Sequence, residues 1–244
     1  MPSSSRAPRP VLAALSLLAA LALAGCGGGS ETTSGANPTA PATPAPSSTT
    51  ATDTTSPAPS PTASSDRVQV IAVEKYGISF ELPKGWLTLD AKNVLKDGSD
   101  SPIIKELADR LGASPDQLVQ TFSTAVQTMS VSDDGAVHGF VDNVNTVGQE
   151  GAVNDDQVKL QLATIGAKPG EITHAGSPAG DVTRVPYTLP TKTGPIVRAV
   201  ALAVRTGTAT VVVTISSSTA ARAGAIADQV QESLQPLPGG GSGP

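Results

Sequence analysis

The chain has 244 residues with 21 acidic and 16 basic side chains, a formal charge of −5, one cysteine and two histidines. That acidic balance argues against nucleic acid as a partner, and a single cysteine excludes an intramolecular disulfide and a thiolate metal cluster. The one Trp, two Tyr and three Phe all lie between residues 66 and 238, so only that stretch carries the material of a folded domain.

Residues 1–25 read as a signal peptide. Arg6 and Arg9 give a positive start, no acid precedes Glu31, and residues 11–24 are apolar apart from Ser16. A run of 14 residues suits a secretory signal and falls short of the ~18 that a spanning helix needs. The segment closes on Leu23-Ala24-Gly25-Cys26, and leucine fits poorly at the −3 position of an ordinary cleavage site.

Those four residues resemble the lipobox of bacterial lipoproteins at every position. The resemblance implies cleavage between Gly25 and Cys26, and a Cys26 that becomes both S-diacylglyceryl and N-palmitoyl cysteine. A thiol is required there because the thiolate is the nucleophile available near neutral pH. Two or more acyl chains give stable anchoring where one chain binds only marginally. The expected location is therefore the outer face of a bacterial plasma membrane.

Residues 26–65 read as a disordered linker carrying the anchor at its first position. Positions 27–65 hold 10 Thr, 8 Ser, 7 Pro, 7 Ala and 4 Gly, a composition that cannot bury enough apolar area to offset ordering entropy. Such a tether would reach ~120 Å extended and roughly 35 Å as a coil. Its Thr/Ser-Pro richness also permits O-glycosylation.

From residue 66 the pattern alternates between strands and capped helices. Strands are predicted over 68–73 and 76–82, the second from Ile78, Phe80 and Leu82 at every other position, followed by a turn at Pro83-Lys84-Gly85-Trp86. Ser101-Pro102 opens a helix with Ile103, Ile104, Leu107 and Leu111 as its stripe. Ser114-Pro115-Asp116-Gln117 has capping-box spacing, and its stripe runs through Leu118, Phe122, Ala125, Val126 and Met129. Beyond the turn at Asp133-Asp134-Gly135, strands are predicted over 136–142 and 144–148. Asn154-Asp155-Asp156-Gln157 caps a helix that turns Val158, Leu162 and Ile165 inward and stops at Lys168-Pro169-Gly170.

Strands over 171–175, 182–189, 196–204 and 209–216, joined by Gly-rich connections, suit consecutive antiparallel hairpins. A final helix over 220–234 presents Ala223, Ile226, Ala227, Val230 and Leu234, and residues 239–244 form a loose tail. In 196–204, Ile196, Val200, Leu202 and Val204 share one parity and Val197, Ala199, Ala201 and Ala203 the other. Apolar residues on both faces mark a covered, central strand, with the alanine face expected to receive the last helix. The fold class is α+β, a mostly antiparallel sheet flanked by helices.

Tyr76-Gly77-Ile78-Ser79-Phe80-Glu81-Leu82-Pro83-Lys84-Gly85-Trp86 is similar to the opening strand and turn of PsbP-like domains. With Asn143-Val144-Asn145 on a strand, the Gly-x-Pro-Ala turn at 176–179, the hairpins and a closing helix ending Ser233-Leu234, the order resembles actinobacterial LpqN-type lipoproteins. That resemblance implies a fold used for docking to larger partners, with no common active site.

Chemistry-bearing motifs are few. His138 and His174 fall in separate predicted strands, and with Asp142 they would make a two-histidine metal or hydrolase site only if the fold brought them together. Gly176-Ser177-Pro178-Ala179-Gly180 has its serine displaced from a nucleophile elbow, and no phosphate-binding glycine motif occurs. Asp133-Asp134 and Asp155-Asp156 lack the spacing of a calcium loop and read as turn and helix-start residues, as do Asp97 and Asp100. Trp86 reads as a core-edge residue. No catalytic residue, metal or cofactor is expected. The reading is a membrane-anchored docking module for envelope or secreted proteins. Its alternatives are a carrier of a lipid or other apolar ligand, using the alanine face as a wall, and an envelope hydrolase.

Overall fold

The computed structural model describes residues 67–191, 195–207 and 209–238. The signal peptide, Cys26, the 26–65 linker and the 239–244 tail lie outside the described residues. Eleven strands and five α-helices are described: β1 (Val68–Val73), β2 (Ile78–Pro83), β3 (Leu87–Asp90), α1 (Ala91–Asp97), α2 (Pro102–Leu111), α3 (Pro115–Thr124), β4 (Val126–Val131), β5 (Asn143–Glu150), α4 (Asp155–Thr164), β6 (Lys168–Pro169), β7 (Thr173–Ser177), β8 (Gly180–Leu189), β9 (Val197–Thr206), β10 (Ala209–Ser217), α5 (Ala220–Ser233) and β11 (Gln235–Pro236). They form an eight-stranded sheet in the order β3-β4-β5-β10-β9-β8-β6, with β7 also on β8, and a three-stranded sheet β1-β2-β11. Every pairing is antiparallel.

The large sheet is covered on both faces, which divides the interior into two cores. On one face, Val200, Leu202 and Val204 of β9 and Val211, Val213 and Ile215 of β10 meet α5 and the small sheet's Ile71, Val73, Phe80 and Leu82. The other face meets α1 to α4 through Val94, Leu107, Leu118, Phe122, Val158 and Leu162. Strand periodicity assigns alternate residues to opposite faces, so both parities of β9 are buried as the sequence required. The layers differ from expectation, however. Ala199, Ala201 and Ala203 face the α1–α4 side, while α5 packs on the valine and leucine parity.

Helix starts follow the capping chemistry. Ser114 with Gln117, and Asn154 with Gln157, each form a reciprocal capping box, satisfying amide donors that the first turn otherwise leaves open. Ser101 makes no side-chain cap bond, and Pro102 at the first helical position carries the α2 start. Asp90 caps α1 by accepting from the Asn93 amide; neither α1 nor β3 was predicted.

Several predicted boundaries are corrected. The α3 stripe was extended through Val126 and Met129, but the helix ends at Thr124 and Val126–Val131 is β4. The strand predicted over 136–142 is instead a tight turn, with one isolated bridge between Val137 and Phe140 and positive φ at His138 and Gly139. Tyr76 ends a 3₁₀ turn, Glu74–Tyr76, rather than starting a strand. Lys168 and Pro169 form the short edge strand β6. Ile196 precedes β9 and is 49% exposed.

Candidate binding surfaces

The small sheet leaves one strand edge open. Lys84 N donates to Arg67 O at 3.0 Å, and in an antiparallel ladder such a bond marks a directly opposed, hydrogen-bonded pair. Counting along the register, Gln69, Ile71 and Val73 also point their backbone groups at β2, opposite Leu82, Phe80 and Ile78. The alternate set on β2 faces β11, as Leu237 N donating to Gly77 O at 2.8 Å requires. The amides and carbonyls of Val68, Val70 and Ala72 therefore point away from β2, where no strand pairs with β1 among the described residues.

That edge borders a groove of about 820 Å³ between β1 and the β3–α1 corner. Its walls carry Glu74 and Lys75 on one side and Asp90 and Lys92 on the other, with Thr88 and Thr128 from the large sheet between them. The charges alternate in sign, so the groove holds no net field for one kind of ion. The Gln69 amide pins β1 to β3 by donating to Trp86 O at 2.9 Å and to Thr88 Oγ1 at 3.3 Å. Val70, on the outer face of β1, is 65% exposed. The sequence could have shown the missing protection, since Val-Gln-Val-Ile-Ala-Val lacks the charge or proline that blunts an edge; what it could not show is that β1 lies at an edge.

A second, smaller recess of about 310 Å³ lies among β6, β8, β9 and the start of α5, lined by Lys168, Tyr187, Arg198, Ala199 and Ala223. Burial pushes the Tyr187 hydroxyl well above its ordinary pKa, which keeps it protonated and neutral.

No family model matches the chain, and no curated protein matches it. Among solved structures it is similar to the solution structure of cyanobacterial PsbP (CyanoP) from Synechocystis sp. PCC 6803, at 12% identity over 70% of this chain and 93% of that one, with a TM-score of 0.44. It is also similar to the crystal structure of LpqN, described as involved in cell envelope biogenesis of Mycobacterium tuberculosis, at 9% identity over 46% of this chain and 72% of that one, with a TM-score of 0.33.

His138, His174 and Asp142, the residues that a two-histidine site would need, do not converge. His174 is on β7, four strand steps from β5 in the sheet order, roughly 19 Å at one strand spacing per step. His138 sits in the β4–β5 turn. His174 Nε2 lies 3.3 Å from Asp155 Oδ2, and its Nδ1 lies 3.1 Å from Thr183 Oγ1, at an exposed position. Asp142 is paired with Arg222 instead. Among the described residues no group of three or more His, Cys, Asp or Glu could hold a metal ion. Trp86 is buried in the α5-side core. Cys26 and Gly25, the proposed lipid attachment and cleavage residues, lie outside the described residues. Among the described residues no helix is long and apolar enough to cross a membrane.

Proposed function

We propose that this chain is an LpqN-type lipoprotein, tethered through Cys26 to the outer face of the bacterial plasma membrane, and that it acts without catalysis as a docking module. The open edge of β1 beside its groove is the observation that carries this reading. Three consecutive outward positions, Val68, Val70 and Ala72, offer unpaired backbone donors and acceptors, and an extended segment of another envelope protein can pair with them by strand addition. Mixed wall charges favour recognition through backbone rather than through one charge type. The lipobox supplies the location and the Pro/Thr/Ser/Ala linker the reach.

The test is site-specific photo-crosslinking in living cells from position 70, with position 160 as a control, because Leu160 is also exposed but lies on α4. Adducts to envelope proteins from position 70 that are lost in a Cys26→Ser chain support the reading. Equal adducts from both positions would show a generally sticky surface and reject it.

A further inference from the structure

The face of the large sheet that meets α5 is apolar along its centre, but its β6 end is charged. Lys168 of β6 is directly opposed to Thr188 of β8, and Thr188 to Arg198 of β9. Opposed residues of a ladder share a face, and Arg198 has the parity of Val200 and Leu202, which belong to the α5-side core. The three side chains therefore stand in one row on the α5 side. Thr188 is in the middle, and the backbones that carry the two cations are roughly 9.5 Å apart.

That row lines the recess of about 310 Å³ at the start of α5. Pro186, Val200 and Ala223 give it an apolar floor, and no acidic side chain lines it. Neither cation takes part in an ion pair among the described residues. Arg184 shows the contrast. It lies on the same face of β8, opposite Leu202, and Asp228 of α5 neutralises it at 2.7 Å. Beside the recess α5 offers no such partner, because its first turn holds no acid. Two like charges thus face one concave, partly apolar surface with nothing in its wall to compensate them.

We propose that this recess binds a phosphate monoester whose organic part carries an apolar group. Charge selects the phosphate. Such an ester carries about −1.5 to −2 near neutral pH and matches two cations, whereas a carboxylate would leave one of them uncompensated. Donor geometry agrees. The guanidinium fork of Arg198 suits two phosphate oxygens at once, and the Lys168 ammonium and Thr188 hydroxyl supply further donors. The apolar floor favours an ester over inorganic phosphate. The volume is at the lower end for ligand pockets, which suits a single ring or a short chain rather than a nucleotide. In the strand order the recess lies at the β6 end, and the docking groove opens at the β3 end, so this site stands independently of the docking reading.

The test uses the full chain carrying Cys26→Ser, titrated calorimetrically with phenyl phosphate. Benzoate, inorganic phosphate and the soluble lipid dihexanoyl phosphatidic acid serve as comparators. Saturable binding of phenyl phosphate at millimolar concentration or below is expected, about tenfold tighter than benzoate or inorganic phosphate. Arg198→Gln and Lys168→Gln should each weaken it about tenfold. The melting temperature of the ligand-free variants should stay level, because neither cation has an ion-pair partner to lose. Lys84→Gln, which alters an exposed lysine just past β2, should leave binding unchanged. Tighter binding of dihexanoyl phosphatidic acid than of phenyl phosphate would assign the ester to a lipid, and weaker binding to a soluble compound; both support the site. The inference is overturned if phenyl phosphate gives no saturable binding at millimolar concentration, if benzoate binds as tightly, or if either recess variant binds the ester unchanged. Inorganic phosphate binding as tightly as the ester overturns it as well, because the floor then contributes nothing.

Discussion

Arg222, in the first turn of α5, donates from Nε to the carboxylate of Asp142, which is only 2% exposed. Its terminal nitrogen reaches Asp134 in the β4–β5 turn. Because Ser132 N also donates to Asp142 O at 2.9 Å, one guanidinium ties the last helix to both ends of the turn that ends β4 and starts β5. Removing it leaves a buried carboxylate without its cation. A fully buried pair broken on one side costs ~3–5 kcal/mol; Arg222 is 38% exposed, so solvent screening reduces this. Arg222→Met is expected to cost about 2–3 kcal/mol, read from urea unfolding midpoints at constant slope. A loss below about 0.5 kcal/mol would make the pair a surface contact.

The same cluster sets an acid dependence. The hydrogen bond from Arg222 holds the Asp134 carboxyl below its ordinary range, against a smaller opposing push from desolvation. A group whose folded pKa is depressed contributes stability that is present above its unfolded value, near 4, and is lost as pH falls through the folded value. Asp134→Asn should therefore lower stability at neutral pH and flatten its fall below about pH 4. Parallel melting curves for wild type and variant from neutral to acid pH check this; curves that stay equally separated throughout would contradict it.

Helix starts give a graded pair of outcomes. Ser114→Ala and Asn154→Ala each remove a working capping box and should cost about 1 kcal/mol. Ser101→Ala should cost clearly less, because Ser101 makes no cap bond and Pro102 already fixes the first turn of α2. Chemical denaturation of the three variants side by side decides it, and equal losses would show that the boxes add nothing.

The capping boxes of α3 and α4, Pro102 at the first turn of α2 and the Gly-rich connections from β7 to β10 explain why those elements were legible in the sequence. Each start is encoded by residues adjacent in the chain. Misreadings arose where two periods overlap. Ala125, Val126 and Met129 continue the helical stripe of Leu118 and Phe122, yet Val126, Thr128 and Val131 pair with β5 and β3; the gain from that pairing is non-local and invisible to a window. His138-Gly139 was absorbed into a strand because nothing local announces a left-handed histidine. The two-faced burial of β9 was readable from parity, whereas the side taken by α5 depends on the crossing of the whole chain. Likewise the lipobox is a local signal, but the open edge of β1 exists only once strand order is fixed.

Gly148 of β5 illustrates a constraint carried by close approach. A Cβ built there would run into the ring of Tyr76, whose position is set by the 3₁₀ turn Glu74–Tyr76 and by Gly77 at φ 65°. Gly148→Ala forces either β5 or the turn to shift, an overpacking cost of about 1–3 kcal/mol. In the Tyr76→Ala background the same substitution should be nearly neutral, giving a large coupling in the double-mutant cycle. Additive losses in that cycle would mean that the ring does not occupy the space above Gly148.

The β1 edge permits a test that separates docking from folding. The amide of Val70 points outward and that of Ile71 points to Phe80 on β2. Proline removes one donor and fixes φ at about −65°, which an edge strand can accommodate, so its cost depends on which side the lost donor faced. Val70→Pro should leave the fold within about 1 kcal/mol of wild type, as proline is tolerated on the open side of an edge strand. Ile71→Pro deletes a ladder bond and also replaces a side chain buried in the α5-side core, and should cost about 3 kcal/mol or more. If strand addition at this edge is how partners dock, Val70→Pro should also abolish crosslinking from position 72 while circular dichroism and melting stay level. A stable Val70→Pro chain whose crosslinking is undiminished would show that partners are held by side chains in the groove, not by the backbone of β1.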